Sequence, residues 1–307
     1  MVTVSAAFRA AMADPTTHPQ RMVFQFDNGT IISNEDIDVE GGVDFNEVFC
    51  SETDLTIGLT PSSEISFGLF NDDDHYTNFT FGAFNAYIGV RLSVTANGSA
   101  AAQRPAIAIS NRTMTVSGNG RSETYELCPL GRFIAARPAV VQKVLIDVEA
   151  NDQMTLFDED MPSDTDLGII YPITAGQLLQ KLCTYVGVQA VTYTFINSTL
   201  SLSARPESFD GSTMREVVGW IAEAAGANAR FNREGLLEMA WFNTLSQTYS
   251  EGNYTEFEPS WYPVPAIDKL HIRNADSTAE SVIGTGTTGY MIQNNPFLRQ
   301  DDTEVVS

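Results

Sequence analysis

A period of two in hydrophobic residues marks the first half of the chain. In "EISFGLF", Ile65, Phe67 and Leu69 occupy every second position, and "AYIGVRLSV" repeats this pattern from Ala86 to Val94. Such alternation places the apolar side chains on one face of a β-strand. We therefore predict strands in both segments and a further one in "DLTIGL", where Leu55, Ile57 and Leu59 would share a face.

Turn signals separate these predicted strands. The Asn28-Gly29 pair lies between two β-prone runs, and this dipeptide favours a tight hairpin because both residues tolerate positive φ. "TMTVSGNGRSETYEL" predicts a second hairpin, and "SAAFRAAM" a short amphipathic helix before the first strand. Repeated short strands with Gly, Asn and Pro between them are typical of a barrel or a sandwich. We predict an N-terminal β-barrel domain with a leading helix over residues 1–150.

The period then changes to that of a helix, and the helical pattern occurs twice. "TAGQLLQKLCTYVGV" aligns without a gap on "TMREVVGWIAEAAGA" at an offset of 39 residues, with Thr174 on Thr213. Each copy opens with Thr-x-x-Gln/Glu, the capping box that satisfies free amides at a helix start. An apolar stripe follows, and Gly187 or Gly226 stands where a left-handed residue would end the helix. Neither copy carries a recognisable reactive residue, which indicates a packing unit.

Strand patterns follow both helices, in "VTYTFINSTLSLSA" and in "ARFNREGLLEMAWF". We predict a small domain of two helix-hairpin repeats over residues 151–242, preceded by the acidic segment "FDEDMPSDTDLG", whose composition is that of a solvated linker. "LHIRNA" and "YMIQNNPFL" predict a partial second β-barrel or sheet over residues 243–307. The fold class is thus α+β.

Charge limits the possible partners. The chain has 307 residues, with 17 Lys and Arg against 39 Asp and Glu, which gives a net charge of −22. Such a surface repels phosphate, so we expect no specific nucleic-acid binding. The excess acid serves solubility alone, or it forms a surface past which DNA moves without sticking. We find no apolar run of the ~20 residues that a membrane helix needs and no secretion signal, so synthesis in the cytoplasm is the simplest interpretation.

The segment "NDDDHY" holds the metal candidates. Asp72, Asp73, Asp74 and His75 are potential ligands of a hard cation or of a metal-bound water. Adjacent residues rarely converge on one ion, and the alternative is a polar hairpin tip. The three cysteines and three histidines also lack the spacing of a zinc site. We expect no catalytic residue, no metal and no cofactor.

A glycine motif superficially matches a dinucleotide fingerprint. Gly284, Gly286 and Gly289 follow an apolar triplet in "IGTGTTG", but that site needs a helix after the third glycine. Residues 290–292 have the pattern of a strand instead, so we predict a glycine-threonine loop.

These segments resemble one protein family. "FNEVFCSETDLTIGLTPSSEISFGLFN" resembles the first barrel of tail-hub proteins of tailed bacteriophages, which include baseplate hubs and the N-terminal module of siphophage tail-associated proteins. "YELCPLGRFIAARP" followed by "VLIDVEANDQMTLFD" is similar to the end of that barrel. The two helical copies resemble the second hub domain, and "GYMIQNNPFL" resembles the return into a second barrel.

The resemblance implies a structural virion protein of a phage or prophage, assembled in the bacterial cytoplasm. It would be a trimer whose two barrels per subunit form a ring around a DNA-conducting lumen, and it would join tail-tube proteins to the other proteins of the tail tip or baseplate. The family pattern continues past the position of Ser307, so we expect an incomplete or minimal second barrel.

Two other classes of function stay open at this stage. A cell-wall hydrolase using carboxylates is suggested by the acids around Asp73. A carbohydrate-binding or host-adhesion module is suggested by the β-rich layout and by aromatic residues, which core packing also explains: Trp220, Trp241, Phe242, Trp261 and Tyr262.

Overall fold

The computed structural model describes residues 4–14, 16–38, 42–48, 57–71, 74, 76, 79–96, 106–118, 120–135, 144–240, 269–273, 280–285, 289–293, 295–298, 300–301 and 304–305. The chain divides into two units. Unit 1 consists of Met1–Glu47, Ser62–Thr155 and Phe231–Leu236, and unit 2 of Val48–Pro61, Leu156–Arg230 and Leu237–Ser307.

Unit 1 is built on one nine-stranded antiparallel sheet. Its elements are α1 (Ala6–Met12), β1 (Gln20–Phe26), β2 (Ile31–Ser33), β3 (Val43–Asn46), β4 (Glu64–Phe70), β5 (Ala83–Ala96), β6 (Ala106–Ser110), β7 (Thr113–Gly118), β8 (Arg121–Ala135) and β9 (Leu145–Asp152). The strand order is β2-β1-β5-β8-β9-β4-β3, with β7 also paired to β8 and β6 to β7. The predicted N-terminal helix and antiparallel β-structure are confirmed.

The β1–β2 turn has the predicted geometry. Gly29 adopts φ 87° and donates its N–H to the Phe26 carbonyl over 3.0 Å. The side-chain oxygen of Asn28 accepts from the Thr30 N–H at 3.0 Å. A residue with a Cβ is strained at this φ, so glycine permits the tight reversal.

Phenylalanine rings fill the core of unit 1. Phe24 of β1 stacks on Phe67 of β4 with ring centroids 4.0 Å apart, and both rings meet Phe84 of β5 edge-on. Since β1 and β4 are separated by three strands in the order above, this stacking shows that the sheet bends until its two halves face each other. The alternating pattern in β4 buries the predicted residues Ile65, Phe67 and Leu69.

Closure of this sheet into a barrel, as the sequence predicts, is not found in the part of the chain that the structure describes. Strands β2 and β3 stand at the two ends of the path, and each pairs with one neighbour among the described strands of that path. An isolated bridge between Ile37 and Leu69 joins the segment after β2 to β4, supported by a 2.8 Å hydrogen bond from the Asp38 N–H to the Gly68 carbonyl. Among the described residues this contact is an isolated bridge and not a paired strand.

Unit 2 carries the duplicated helices. Its helices are α2 (Asp164–Leu167), α3 (Ala175–Val186) and α4 (Met214–Ala224), with short 3-10 turns at Gln153–Phe157, where the units meet in sequence, and Glu207–Phe209. Its strands are β10 (Ile173–Thr174), β11 (Ser201–Leu202), β12 (Asn228–Phe231), β13 (Leu237–Ala240), β14 (Lys269–Arg273), β15 (Glu280–Gly284), β16 (Gly289–Gln293), β17 (Gln300–Asp301) and β18 (Glu304–Val305).

The acidic segment before the first repeat is folded, so the prediction of a solvated linker is wrong. Phe157, Met161 and Leu167 of this segment are buried. Arg205 holds the segment by donating to the Asp164 carboxylate at 2.8 Å and to the Pro162 carbonyl at 3.2 Å. Composition suggested a linker because the acids outnumber these apolar anchors and their cationic partner is distant in sequence.

The prediction of a hairpin after the first helix is also wrong, whereas the prediction of a hairpin after the second helix is confirmed. Ser201–Leu202 of β11 pairs with β10, which precedes α3, and not with a neighbouring strand of its own segment. After α4, β12 pairs with β13 around a turn closed by a 2.9 Å bond from the Gly235 N–H to the Asn232 carbonyl. The alternating pattern is present in both segments, but only the second has an Asn-x-x-Gly turn.

A three-stranded sheet in the order β15-β14-β16 follows. Strand β14 pairs antiparallel with β15 and parallel with β16, and the predicted strands in "LHIRNA" and "YMIQ" are both present. The β-structure expected here is confirmed, whereas the partial second barrel stays a prediction.

Candidate functional site

The start of each repeat helix is a complete capping box. The Thr174 hydroxyl accepts the Gln177 N–H at 3.2 Å, and the Gln177 side chain accepts the Thr174 N–H at 3.0 Å. In the second copy the Thr213 hydroxyl accepts the Glu216 N–H at 3.2 Å, and the Glu216 carboxylate accepts the Thr213 N–H at 2.8 Å. Each box satisfies two amides that the helix itself leaves unpaired.

The apolar stripes of the two helices are buried at equivalent positions. Leu182 of α3 and Ile221 of α4, which the offset of 39 makes equivalent, are both 0% exposed. Gly187 and Gly226 both adopt positive φ at the helix ends, as predicted. Four further equivalent pairs are buried in the same way: Ala175 and Met214, Leu178 and Val217, Leu179 and Val218, and Cys183 and Ala222.

The outer faces of the two helices differ. Gln180, Lys181, Thr184 and Tyr185 of α3 are exposed. The equivalent positions of α4 are buried or half-buried: Gly219, Trp220, Glu223 and Ala224. Two other segments of unit 2 cover α4 on this side, and each is specific to the second copy.

The first covering segment is Ile57–Thr60. The Gly58 N–H donates to the Ala227 carbonyl at 2.8 Å, and the Leu59 carbonyl accepts the Ala229 N–H at 2.9 Å. A Cβ on Gly219 would lie 2.9 Å from the Gly58 carbonyl oxygen, so the segment crosses α4 in backbone contact. The prediction of a strand in "DLTIGL" is wrong for Ile57 and Leu59, because the close crossing of α4 replaces a regular strand ladder. Leu55 lies outside the described residues.

The second covering segment is Asn295–Leu298. The Asn295 side-chain amide donates to the Trp220 carbonyl at 2.8 Å and to the Glu223 carboxylate at 2.9 Å. The side-chain oxygen of Asn295 accepts the Phe297 N–H at 2.9 Å. All four residues are buried, and the segment belongs to the "NNPFL" motif on which the resemblance partly rests.

These segments form a small mixed ladder around β13. The Leu237 N–H donates to the Gln189 carbonyl, and the Val191 N–H donates to the Leu237 carbonyl at 2.8 Å, so residues 189–191 run parallel to β13. On its other side β13 pairs with β12, whose outer edge carries Leu59. Residues 189–191 and β12 are equivalent under the offset of 39, so β13 lies between the two copies.

Burial shifts the ionisation of two side chains in this region. Burial raises the pKa of the Glu223 carboxyl, and the hydrogen bond from Asn295 opposes that rise only in part. Burial also raises the pKa of the Cys183 thiol to about 12, although a hydrogen bond with Tyr193 acts in the opposite direction. The Cys183 side chain is 0% exposed, so the thiol packs in the core.

The predicted metal candidates are described only in part. Asp72, Asp73 and His75 lie outside the described residues, whereas Asp74 is exposed with φ 57°. The side chain of Asn71 beside them is buried and accepts the Tyr76 N–H at 2.7 Å. Among the described residues no group of three or more His, Cys, Asp or Glu side chains is placed to hold a metal ion.

The structure does bring acids together where the sequence does not predict it. Asp44, Glu64 and Glu149 line one cleft of about 310 Å³ on strands β3, β4 and β9. Strand register explains the grouping, because Ser66 pairs with both Asp44 and Glu149. These carboxylates are up to 105 residues apart in sequence (149 − 44), so no local pattern could have found the cleft.

The glycine motif is a strand-to-strand connection. Gly284 ends β15 and Gly289 begins β16, so no helix follows the third glycine and the predicted strand at residues 290–292 is confirmed. Among the candidate aromatics, Trp220 is half-buried and stacks on Phe209 with centroids 6.1 Å apart, as core packing predicts. Trp241, Phe242, Trp261 and Tyr262 lie outside the described residues.

Over the part of the chain that the structure describes, no helix has both the length and the apolar character needed to cross a membrane.

No protein-family model matches the chain. No curated protein matches it either. Among solved structures, the chain is similar to the 43 kDa tail protein of prophage MuSo2 from Shewanella oneidensis, with a TM-score of 0.43 and 12% identity over 89% of this chain and 72% of that one. It is also similar to the tail protein from Neisseria meningitidis MC58, with a TM-score of 0.48 and 11% identity over 90% of this chain and 72% of that one.

Proposed function

We propose that the chain is a structural component of a phage or prophage tail, a hub that joins the tail tube to the tip or baseplate around a lumen through which DNA passes. The observation that carries the proposal is the duplicated helix. Both copies are capped and buried at equivalent positions, and the side chains that they bury serve packing. A framework of this kind suits a protein whose task is to hold others in place.

The sequence resemblance supplies the finer parts of the proposal. It divides the chain into an N-terminal barrel domain over residues 1–150, a helix-hairpin domain over 151–242 and the beginning of a second β domain over 243–307. A trimer of such subunits would surround the lumen. The curled sheet of unit 1, with Phe24 stacked on Phe67, supports a barrel-like first domain.

Charge supports the lumen. The net charge of −22 repels the phosphate backbone, so DNA would pass such a surface without being held. Eight described arginines form ion pairs with acids of this chain, which leaves fewer cations to attract phosphate: Arg21, Arg91, Arg112, Arg132, Arg205, Arg215, Arg230 and Arg233.

Exposed apolar side chains on unit 2 support contact with other tail proteins. Ile170 is 84% exposed and Ile196 is 74% exposed. Isolated exposed apolar residues are common on protein surfaces, so their role has to be tested by substitution.

The test is deletion of the gene from the virus or lysogen that encodes the chain. We expect the deletion to give heads without functional tails, and the wild-type chain supplied in trans to restore them. Antibodies against the chain should label one end of restored tails in electron micrographs. Intact, infective tails after deletion would refute the proposal.

A matched pair of variants separates folding from assembly. Ile170→Ser with Ile196→Ser should leave the melting temperature close to that of the wild type but reduce incorporation into tails. Lys181→Ala, on the exposed face of α3, serves as the surface control. Equal incorporation of the double variant and the control would exclude the two isoleucines as partner contacts.

A further inference from the structure

We propose that Asn295–Leu298 is an exchangeable clasp, and that the site it fills on α4 can take the same segment from a second copy of this chain. The site, called the seat here, consists of the Trp220 carbonyl and the Glu223 carboxylate. The inference goes beyond the tail function and does not depend on it.

The clasp is folded by its own atoms. Asn295 accepts the Phe297 N–H through its side chain and the Leu298 N–H through its backbone carbonyl, at 2.9 and 3.2 Å. Pro296 at the second position favours such a turn because its φ is already restricted. A turn of four consecutive residues that forms within itself can be presented to any seat within reach.

Recognition is concentrated in one side chain. The Asn295 amide donates two hydrogen bonds to α4, and the residue is 4% exposed. Two donors on one amide match two acceptors one helical turn apart, the carbonyl of residue 220 and the carboxylate of residue 223. Phe297 and Leu298 add buried apolar surface, which stabilises the docked turn.

The seat is specific to the second repeat. The positions of α3 equivalent to Trp220 and Glu223 are Lys181 and Thr184, and both are exposed. Thr184 donates its hydroxyl to the Gln180 carbonyl of its own helix at 2.7 Å and offers no carboxylate. The duplication therefore provides one seat in each chain.

The covalent connection does not restrict the clasp to its own seat. Strands β14, β15 and β16 stand between Ala240, the last residue of β13, and Asn295, so an exchanging clasp would carry their sheet with it. Between Ala240 and Lys269, the first residue of β14, the chain has 28 residues (241–268), a length that spans at most roughly 95 Å at ~3.4 Å per residue. Exchange of an identical segment between copies needs no new contact chemistry, which makes it a low-cost route to association.

A peptide tests the seat. Asn295→Asp keeps the acceptor for the Phe297 N–H but removes both donors and places a carboxylate beside Glu223, so it should vacate the seat. We expect a fluorescent peptide of residues 293–300 to bind the Asn295→Asp chain saturably. The same peptide carrying Asn295→Asp should bind about tenfold or more weakly, a difference of ~1.4 kcal/mol or more.

Two further chains make the peptide result unambiguous. Asn197→Asp removes the amide that donates to the Ala224 carbonyl of the same helix at 2.9 Å, and this matched control should not bind the peptide. Phe297→Ala is a second host, for use if Asn295→Asp loses its wild-type circular dichroism spectrum. Equal binding of the two peptides, or no binding to a folded host, would overturn the proposal.

Mixing tests the exchange itself. A donor-labelled wild-type chain and an acceptor-labelled Asn295→Asp chain should show energy transfer that an excess of wild-type peptide abolishes and the substituted peptide does not. Energy transfer that is absent or insensitive to the peptide would show that the clasp stays in its own chain. Because both assays use the isolated chain, their failure is distinct from failure of the tail proposal.

Discussion

Gly219 of α4 lies against Gly58 so closely that a Cβ on Gly219 would be 2.9 Å from the Gly58 carbonyl oxygen. Helix interiors disfavour glycine by ~1 kcal/mol relative to alanine, so this residue costs helix stability. It is nevertheless the residue that lets Ile57–Thr60 cross the helix at backbone distance.

We expect Gly219→Ala to lower the free energy of unfolding by ~1–3 kcal/mol, because overpacking against a backbone atom outweighs the gain in helix propensity. Gly82→Ala is the control, since a Cβ there meets nothing within 4 Å. Chemical denaturation of both variants measures the difference. A Gly219→Ala variant more stable than the wild type would contradict the close crossing.

The two capping boxes allow a direct comparison between the repeats. Thr174→Ala and Thr213→Ala should each cost ~0.5–2 kcal/mol, because each leaves a helix amide without its acceptor. Thr184→Ala is the control, since its hydroxyl donates to a carbonyl within the same helix and alanine has the higher helix propensity. Urea titrations in which Thr184→Ala cost as much as the capping variants would contradict this account.

Glu223 should make stability depend on pH in a defined direction. Burial raises its pKa in the folded chain, so the folded state holds a proton that the unfolded state has already lost. Stability from this group is therefore greatest below the unfolded pKa and declines as pH rises through the folded pKa. We expect Glu223→Gln to stabilise the chain at pH 7 and to flatten the decline above the usual glutamate range.

Glu216→Gln provides the matched control for that titration. The equivalent residue of the first copy is already glutamine, and Gln177 closes its capping box with a 3.0 Å hydrogen bond. Because Glu223 is unchanged in it, the control variant should show the same decline in stability above the usual glutamate range as the wild type. A Glu223→Gln profile that parallels the wild-type curve across the titration range would exclude Glu223 as the titrating group.

Features that depend on residues close in sequence could be predicted from the sequence, whereas features that depend on distant residues could not. The capping boxes, the stripe around Leu182 and the hairpin at Asn28 depend on residues within one helix or turn, and local patterns predicted all three. The role of Ile57–Thr60 depends on contacts with residues about 160 to 170 positions away, so no local pattern could indicate it.

The acidic segment before α3 illustrates the same limit for composition. Its five acids outnumber its buried residues, yet Arg205 reaches Asp164 from 41 positions away and Arg215 pairs with Asp158 at 3.0 Å. Ion pairs between distant residues are invisible in a composition window. The sequence likewise does not predict the docking of Asn295 on α4: "NNPFL" carries a turn signal, but a turn signal does not indicate what the turn contacts.

Substitution of the carboxylates in the cleft of unit 1 distinguishes a structural role of the chain from a hydrolytic one. Asp44, Glu64 and Glu149 share it, and paired carboxylates are the groups that glycoside hydrolysis uses. We propose a structural role, so purified wild-type chain should give no clearing on a cell-wall zymogram. The variant Asp44→Asn, Glu64→Gln, Glu149→Gln should support tail assembly as well as the wild type does. Its charge is less negative by three, and its side chains keep their shapes, so folding should be retained.

Clearing by the wild type that the triple variant abolishes, with a lysozyme lane as positive control, would establish catalysis at this cleft. A triple variant that folds but fails in assembly without any clearing would instead make the cleft a contact surface within the tail.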